Sequence, residues 1–449
     1  MRTDTSRRKF LAATGLTGVT ALTGMGTAAA QGNTITLGGS MSLSGDNADL
    51  GQLYRDSYEL TIQRINEAGG VEAGDGTTYE LEMILRDDET DASKSRAIYQ
   101  ELIDREGVDY LLGPYSSTVT LPASAVAARN QRPMVEGGGA SPEIFSQGNE
   151  WIFGLLPTAD KYPLSSIEMA MAQDSPPESA ALLAESDTFS QSSAKGARQK
   201  LNEEGVNIAV DQTFPTETSD LSTLLGRVRS SNADILILAA HQKHAVILAK
   251  QMEAQNVDVD MAMATVGSLT SSFKDQTGAN GDYVYGPSSW AINATFEDSV
   301  FGSTGEFVSA VESEYGYQPD YHNAAGAAVI QTFQRAFQQV SSLGPTNVRN
   351  AIRDIQFTTA YGNVAFGDNG VIDKDMLVYQ WQPQAGGQAG GTTQTQNGTA
   401  TNGTQNGTAT QGGGGGAGGS GGASRKVIVW PESVQQRQPI YPMPNWSER

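Results

Sequence analysis

From residue 33 onward, short apolar runs alternate with longer segments whose apolar residues recur at helical spacing. Residues 35–39 read as a strand entering a loop at 42–49, and a helix follows over about 50–67 to the Gly69-Gly70 stop. A strand at 79–86, the acidic turn Asp87-Asp88-Glu89-Thr90-Asp91 and a helix over 92–106 come next. The strand 108–112 breaks into Gly113-Pro114-Tyr115-Ser116-Ser117-Thr118, and an Ala-rich helix is predicted from about Leu121. A second short strand, 133–136, ends in Gly137-Gly138-Gly139-Ala140-Ser141 before Pro142-Glu143 opens another helix.

The same rhythm returns after Tyr162. Helices are predicted over 163–173, 191–204, 223–231 and 245–255, with strands at 179–184, 206–210 and 235–240. Such alternation predicts an α/β fold built from two doubly wound, Rossmann-like lobes with parallel sheets. Near Tyr283 the pattern changes, and the helical stretches 323–343 and 346–354 read as a return to the first lobe. A short β region at 365–370 precedes the strand 376–382. The predicted boundaries are 33–158 with 285–365 for the N-terminal lobe, and 159–284 with 366–449 for the C-terminal lobe.

In an open parallel sheet, ligands sit outside the carboxyl ends of the strands, where N–H groups of the following helices point into a crevice. Two strands ending in small residues therefore predict a small-molecule cleft lined by Tyr115, Ser116 and Ser117 from one turn, and by Gly138, Gly139, Ala140 and Ser141 from the other. Each turn alone reads as an ordinary strand-to-helix connection; the pair, with its hydroxyls, reads as a site.

Residues 385–424 are almost entirely Gly, Thr, Gln, Asn and Ala, a composition that cannot bury enough apolar surface to fold. Matching strands on either side, 377–381 and 427–430, predict that this tract is an enlarged hairpin loop. Asn397, Asn402 and Asn406 each begin Asn-Gly-Thr, so three glycosylated asparagines are expected there.

Composition adds the compartment. Ser6-Arg7-Arg8-Lys9-Phe10-Leu11 is a twin-arginine pattern, and the apolar run after it ends in Ala28-Ala29-Ala30, so residues 1–30 read as an export signal. The protein is expected outside the cytoplasmic membrane, with cleavage or retention of the signal as an anchor both open. No cysteine occurs, which excludes disulfides, thiolate metal sites, a cysteine nucleophile and a lipid-modified cysteine. The 449 residues carry a formal charge of -21. Arg2, Arg7, Arg8 and Lys9 against Asp4 make the first 30 residues net positive, so the remainder is still more acidic. Nucleic acid and anionic membranes are thereby excluded as partners. Scarce lysine beside this charge suits molar salt, a halophilic and haloarchaeal trait.

Catalysis has little to stand on. His241 and His244 share a helix start at i, i+3 spacing, but no nearby acidic pair completes a metal set. His244 is expected on a solvated turn, His241 at the carboxyl end of the strand 235–240. No G-x-S-x-G elbow, P-loop or complete G-x-G-x-x-G occurs. No enzyme activity, cofactor or metal is expected.

The segments starting at Ile35 (Ile-Thr-Leu-Gly-Gly-Ser-Met-Ser-Leu-Ser-Gly), Ile65 (Ile-Asn-Glu-Ala-Gly-Gly), Leu112 (Leu-Gly-Pro-Tyr-Ser-Ser) and Val135 (Val-Glu-Gly-Gly-Gly-Ala-Ser-Pro-Glu), with Asp220-Leu-Ser and Val429-Trp-Pro, carry a resemblance. Together they resemble the branched-chain amino-acid type of ABC-transporter substrate-binding protein, with the type I periplasmic-binding fold. The resemblance implies two lobes joined by three crossings that close on a ligand and present it to an ABC permease, in a receptor expected to be a monomer. It implies that Ser117 holds a ligand carboxylate and that the Gly138 backbone meets an ammonium. Ala140 stands where the family has a threonine, with Ser141 beside it. Phe189 matches an aromatic contact, and His241 matches a tyrosine. The family's ammonium-binding glutamate falls at Thr265 or Val266, so an amino acid would need another acid, Glu136 or Glu185. An amide, a urea-like compound or a small carboxylate stays open as ligand, and a sensory receptor as role.

Overall fold

The computed structural model describes residues 33–384 and 424–449. The export signal and the three Asn-Gly-Thr acceptors lie outside the described residues.

Two sheets organise the chain. The first has six strands in the order Val71–Glu72, Thr78–Asp87, Asn33–Met41, Tyr110–Leu112, Met134–Glu136, Ile152–Gly154. All its pairings are parallel except that of Val71–Glu72 with its neighbour. The second has seven, in the order Ser424–Trp430, Leu377–Pro383, Tyr285–Ser288, Met261–Ala264, Ile235–Ala239, Ser179–Glu185, Asn207–Phe214. Here Leu377–Pro383 runs antiparallel to both neighbours. Ile235–Ala239 is buried along its whole length, which is why it reads as an unbroken apolar run rather than an alternating one.

Both sheets have the same inner topology. Leaving aside the two-residue Val71–Glu72, the first strand of each lobe lies between the second and the third: Asn33–Met41 between Thr78–Asp87 and Tyr110–Leu112, and Ser179–Glu185 between Asn207–Phe214 and Ile235–Ala239. The chain leaves in opposite directions on the two sides of that first strand, opening a crevice at the carboxyl ends. Ser42 and Tyr115 to Ser117 follow the switch-point strands of the first lobe. Glu185 to Asp187 and His241 follow those of the second.

Three crossings join the lobes, and the structure corrects where two of them lie. Tyr285–Ser288 belongs to the second sheet, so the return to the first lobe comes after Ser288 rather than at 285. The strand Gln356–Thr359 pairs with Gly362–Ala365 in a separate hairpin. The chain then stays with the first lobe: Val371 bridges Gly154, and Ile372 N–H donates to Gly154 O at 3.0 Å. The second sheet resumes only at Leu377, eleven residues later than the predicted boundary at 366. The pairing of Leu377–Pro383 with Ser424–Trp430 is the predicted hairpin, and its second strand begins at Ser424.

One helix brings the third segment to the cleft. Tyr321–Gln339 is buried continuously from Tyr321 to Phe333 and runs Ala324-Ala325-Gly326-Ala327-Ala328 past the helix Ala48–Glu67. A Cβ at Gly326 would stand 3.1 Å from Ser57 Cβ, so the small residues set a close approach. The amino end of this helix, capped by Asp320, thereby reaches the crevice of the first lobe.

Candidate functional site

The two crevices face each other around a nearly filled cavity with only about 10 Å³ of free volume. Tyr115, Ser117, Gly138, Ala140, Phe189 and His241 line it, with Val266, the alternative to Thr265; so does an unpredicted group, Leu156, Tyr162, Tyr321 and His322. That free volume is far smaller than the usual ligand pocket of about 300–1,000 Å³.

Ser117 sits in the first turn of the helix Ser117–Asn130, which begins four residues earlier than its sequence pattern indicates. Its Oγ accepts N–H bonds from Ala140 and Ser141, both at 3.0 Å. A hydroxyl has two lone pairs and one proton. With both lone pairs filled, Ser117 can only donate to anything else, so it suits a carboxylate or carbonyl oxygen. First-turn N–H groups of the helix, which lack intrahelical partners, add to the same polarity.

The second lobe answers with His241. Its Nδ1 lies 2.9 Å from the Tyr115 hydroxyl across the cleft, and its Nε2 lies 3.4 Å from Asp187 Oδ1. Burial works against the charged imidazolium, but the Asp187 and Glu185 carboxylates outweigh it and hold His241 above its usual value. Burial likewise pushes Asp187 up, and the His241 ring with the hydrogen bonds at the helix start brings it below the usual carboxylate range. Asp187 also caps the helix Thr188–Glu203 through the N–H groups of Phe189 and Ser190. That cap fixes Phe189 against His241, with ring centroids 5.4 Å apart.

The other predicted residues do not line the cavity. Ser116 caps the helix start with its backbone carbonyl, which accepts from Val119 and Thr120 N–H. Thr265 Oγ1 is engaged with the backbone of Ala240, and its neighbour Val266 lines the cavity instead. Ser141 Oγ meets Ser192 Oγ of the second lobe at 3.0 Å. Glu185 accepts from His241 N–H and His244 Nδ1 at 3.2 and 3.0 Å. His244 is fully buried, with Nε2 2.9 Å from Thr218 O, which corrects its expected place on a solvated turn. Among the described residues, no group of three or more His, Cys, Asp or Glu is placed to hold a metal ion.

Glu136 is committed to its own loop. One carboxylate oxygen accepts from Gly138 and Gly139 N–H at 2.8 and 2.5 Å, while Oε1 has no partner. Burial raises its pKa to about 8 despite those two bonds. Because the folded value lies above the unfolded one, Glu136 stabilises the fold below about pH 4.5, and this contribution is lost as pH rises towards 8. Glu136→Gln keeps an acceptor for the two N–H groups and removes the titration. Melting curves from pH 5 to 9 should show the variant gaining on the unaltered protein as pH rises, by on the order of a few kcal/mol at the alkaline end. Equal pH slopes for the two proteins would contradict this assignment.

Fold, switch-point cleft and polar anchors define a two-lobed solute receptor. The chain belongs to the periplasmic binding protein family, which matches residues 34–390. It is 24% identical over 367 residues to the Leu/Ile/Val-binding protein homolog 8 of Brucella abortus, covering 75% of this chain and 86% of that protein. Homolog 7 from the same species is 25% identical over 362 residues, with the same coverage. Among solved structures, the branched-chain amino acid transporter substrate-binding protein of Streptococcus pneumoniae in complex with isoleucine superposes with a TM-score of 0.68 at 17% identity, over 78% of this chain and 96% of that one. A solute-binding protein of an R. palustris ABC transporter in complex with benzoate gives 0.69 at 17% identity, over 78% and 93%. The family is a class of solute-binding receptors rather than of enzymes. No helix among the described residues is long and apolar enough to cross a membrane.

Proposed function

We propose that the protein captures an α-amino acid with an apolar side chain outside the cell and hands it to an ABC permease. The observation that carries this is the polarity of the cavity: the Ser117 hydroxyl, free only to donate, stands beside walls made of Leu156, Val266, Phe189 and tyrosine rings. A carboxylate fits the first and an aliphatic side chain the second. The names of the curated relatives agree with that choice. A benzoate-type carboxylate shares the first feature, and benzoate-bound neighbours make it the second reading.

Export outside the membrane follows the twin-arginine signal, and hinge closure is the capture step. Contacts made only when the lobes meet hold the closed form. Asp49 of the first lobe accepts from Gln242 Nε2 and Ser272 Oγ at 2.8 Å each and from Gln276 Nε2 at 3.2 Å. Lys243 Nζ reaches Asp46 at 2.7 Å nearby. Asp49→Ala removes three closed-state bonds on an exposed rim and is expected to weaken ligand binding about three- to tenfold, with little change in melting temperature. Calorimetry and a melting curve on the same sample check both halves.

A thermal-shift panel of leucine, isoleucine, valine, glutamate, benzoate, short amides and urea tests the reading. The aliphatic amino acids should raise the melting temperature by several degrees at about a hundred times their Kd. A shift with benzoate alone, or with amides alone, would replace the ligand class.

A further inference from the structure

The cavity holds a second polar anchor whose sense is opposite to that of Ser117. His322 opens the helix Tyr321–Gln339, is 1% exposed, and lines the cavity on the first-lobe side. Its Nδ1 lies 3.0 Å from both carboxylate oxygens of Asp320. A carboxylate only accepts, so Nδ1 carries the proton, and in the neutral imidazole Nε2 keeps a lone pair. Nε2 is buried without a partner. Burial pushes Asp320 up, but the His322 ring and N–H, with Lys426 nearby, hold it below the usual carboxylate range. With the imidazole neutral, the pair is an acceptor backed by a buried negative charge.

Aromatic rings pack around the imidazole. Tyr321 stacks on the imidazole with centroids 3.9 Å apart, while Tyr54 and Tyr115 meet it edge-on at 5.7 and 6.0 Å. No carboxylate lines the cavity among the described residues; Asp187, Glu185 and Glu136 stand behind its wall. A ligand cation would otherwise be buried without an anionic partner, a penalty of several kcal/mol.

We propose that His322, backed by Asp320, receives the ligand's ammonium group and so selects α-amino acids over the corresponding carboxylic acids. The assignment rests on the amino-acid reading. Ser117 and His322 then act as a donor and an acceptor lining the same cavity, the two polarities a zwitterion needs. His241 and Phe189 close over it from the other lobe.

The test compares leucine with 4-methylpentanoate, which differs only by the amine, on the unaltered protein, His322→Phe, His322→Gln and Asp320→Asn. The unaltered protein should bind leucine at least tenfold more tightly than 4-methylpentanoate by calorimetry. His322→Phe should lose about tenfold or more for leucine while its affinity for 4-methylpentanoate stays within about threefold. His322→Gln, which keeps an acceptor, should restore part of the preference. If His322→Phe does not fold, Asp320→Asn carries the test, because asparagine still caps the helix but lacks the charge; its preference for leucine should shrink. An equal loss for both ligands in these variants, or an unchanged preference, overturns the inference and leaves the amino-acid reading standing. Leucine bound no better than 4-methylpentanoate by the unaltered protein overturns that reading and the inference with it.

Discussion

Ser117→Ala is expected to weaken ligand binding by roughly thirtyfold or more, the loss of one hydrogen bond to a charged group. The hydroxyl does two things at once. It bonds the N–H groups of Ala140 and Ser141, which fixes the turn after the strand Met134–Glu136, and it turns its own proton towards the cavity. Alanine removes the donor and leaves two buried N–H groups without their acceptor, so stability should fall by about 1–3 kcal/mol as well. Ser117→Thr is the useful companion, because it keeps the hydroxyl and adds one methyl. Affinity measured by calorimetry beside a denaturation midpoint separates the two losses. Equal ligand affinity in Ser117→Ala and the unaltered protein would remove Ser117 from the site.

Gly113→Ala should be more damaging to the fold than to any single contact. A Cβ there would overlap Glu136 Cβ and lie 2.7 Å from its Cα, so the two switch-point turns would be pushed apart. Overpacking of this kind costs about 1–3 kcal/mol when side chains give way, and more when, as here, backbone is in contact. The damage spreads to the Gly138 and Gly139 N–H groups that hold Glu136, and through them to the cavity wall. A clear drop in melting temperature together with at least tenfold weaker binding is expected. Gly226→Ala is the control. It lies in the helix Ser222–Ser231 with nothing within 4 Å of the added methyl, so it should be neutral or slightly stabilising. Similar losses for both variants would show that the Gly113 turn is not specially crowded.

The alternation of apolar strands with amphipathic helices carries the two-lobed α/β fold, because central strands such as Tyr110–Leu112 and Ile235–Ala239 are buried on both faces and leave unbroken apolar runs. The switch points are legible for a related reason: small residues after the strands 108–112 and 133–136 mark where backbones approach. What lies beyond reach depends on contacts distant in sequence. The Ser117 helix starts earlier than its pattern indicates, since serine and threonine read as loop although they suit a first turn. His244 reads as a solvated helix residue, yet Glu185, 59 positions earlier, holds it in the core. The helix Thr304–Tyr315 is hidden among its polar residues; Ser303 followed three positions later by Glu306 is the capping signal that marks its start.

His322 shows where local sequence signals stop. The helical pattern there begins at residue 323, which places the histidine in a loop and hides its use. Asp320 two positions before it is a strong N-cap type, and a histidine just inside such a cap is within reach of the same carboxylate. Nothing in the sequence brings that helix start to the turns after Gly113 and Glu136. Only the packing of Tyr321–Gln339 against Ala48–Glu67 does so.

On the proposed function, the cleft between the lobes takes one α-amino acid, anchored by its carboxylate at Ser117. A calorimetric titration of isoleucine into the unaltered protein and into Ser117→Ala, at two temperatures, tests this most directly. One site per chain, a negative heat-capacity change from apolar burial and a clear loss of affinity in the variant are expected. No heat with the unaltered protein, or the same affinity in both, would contradict it.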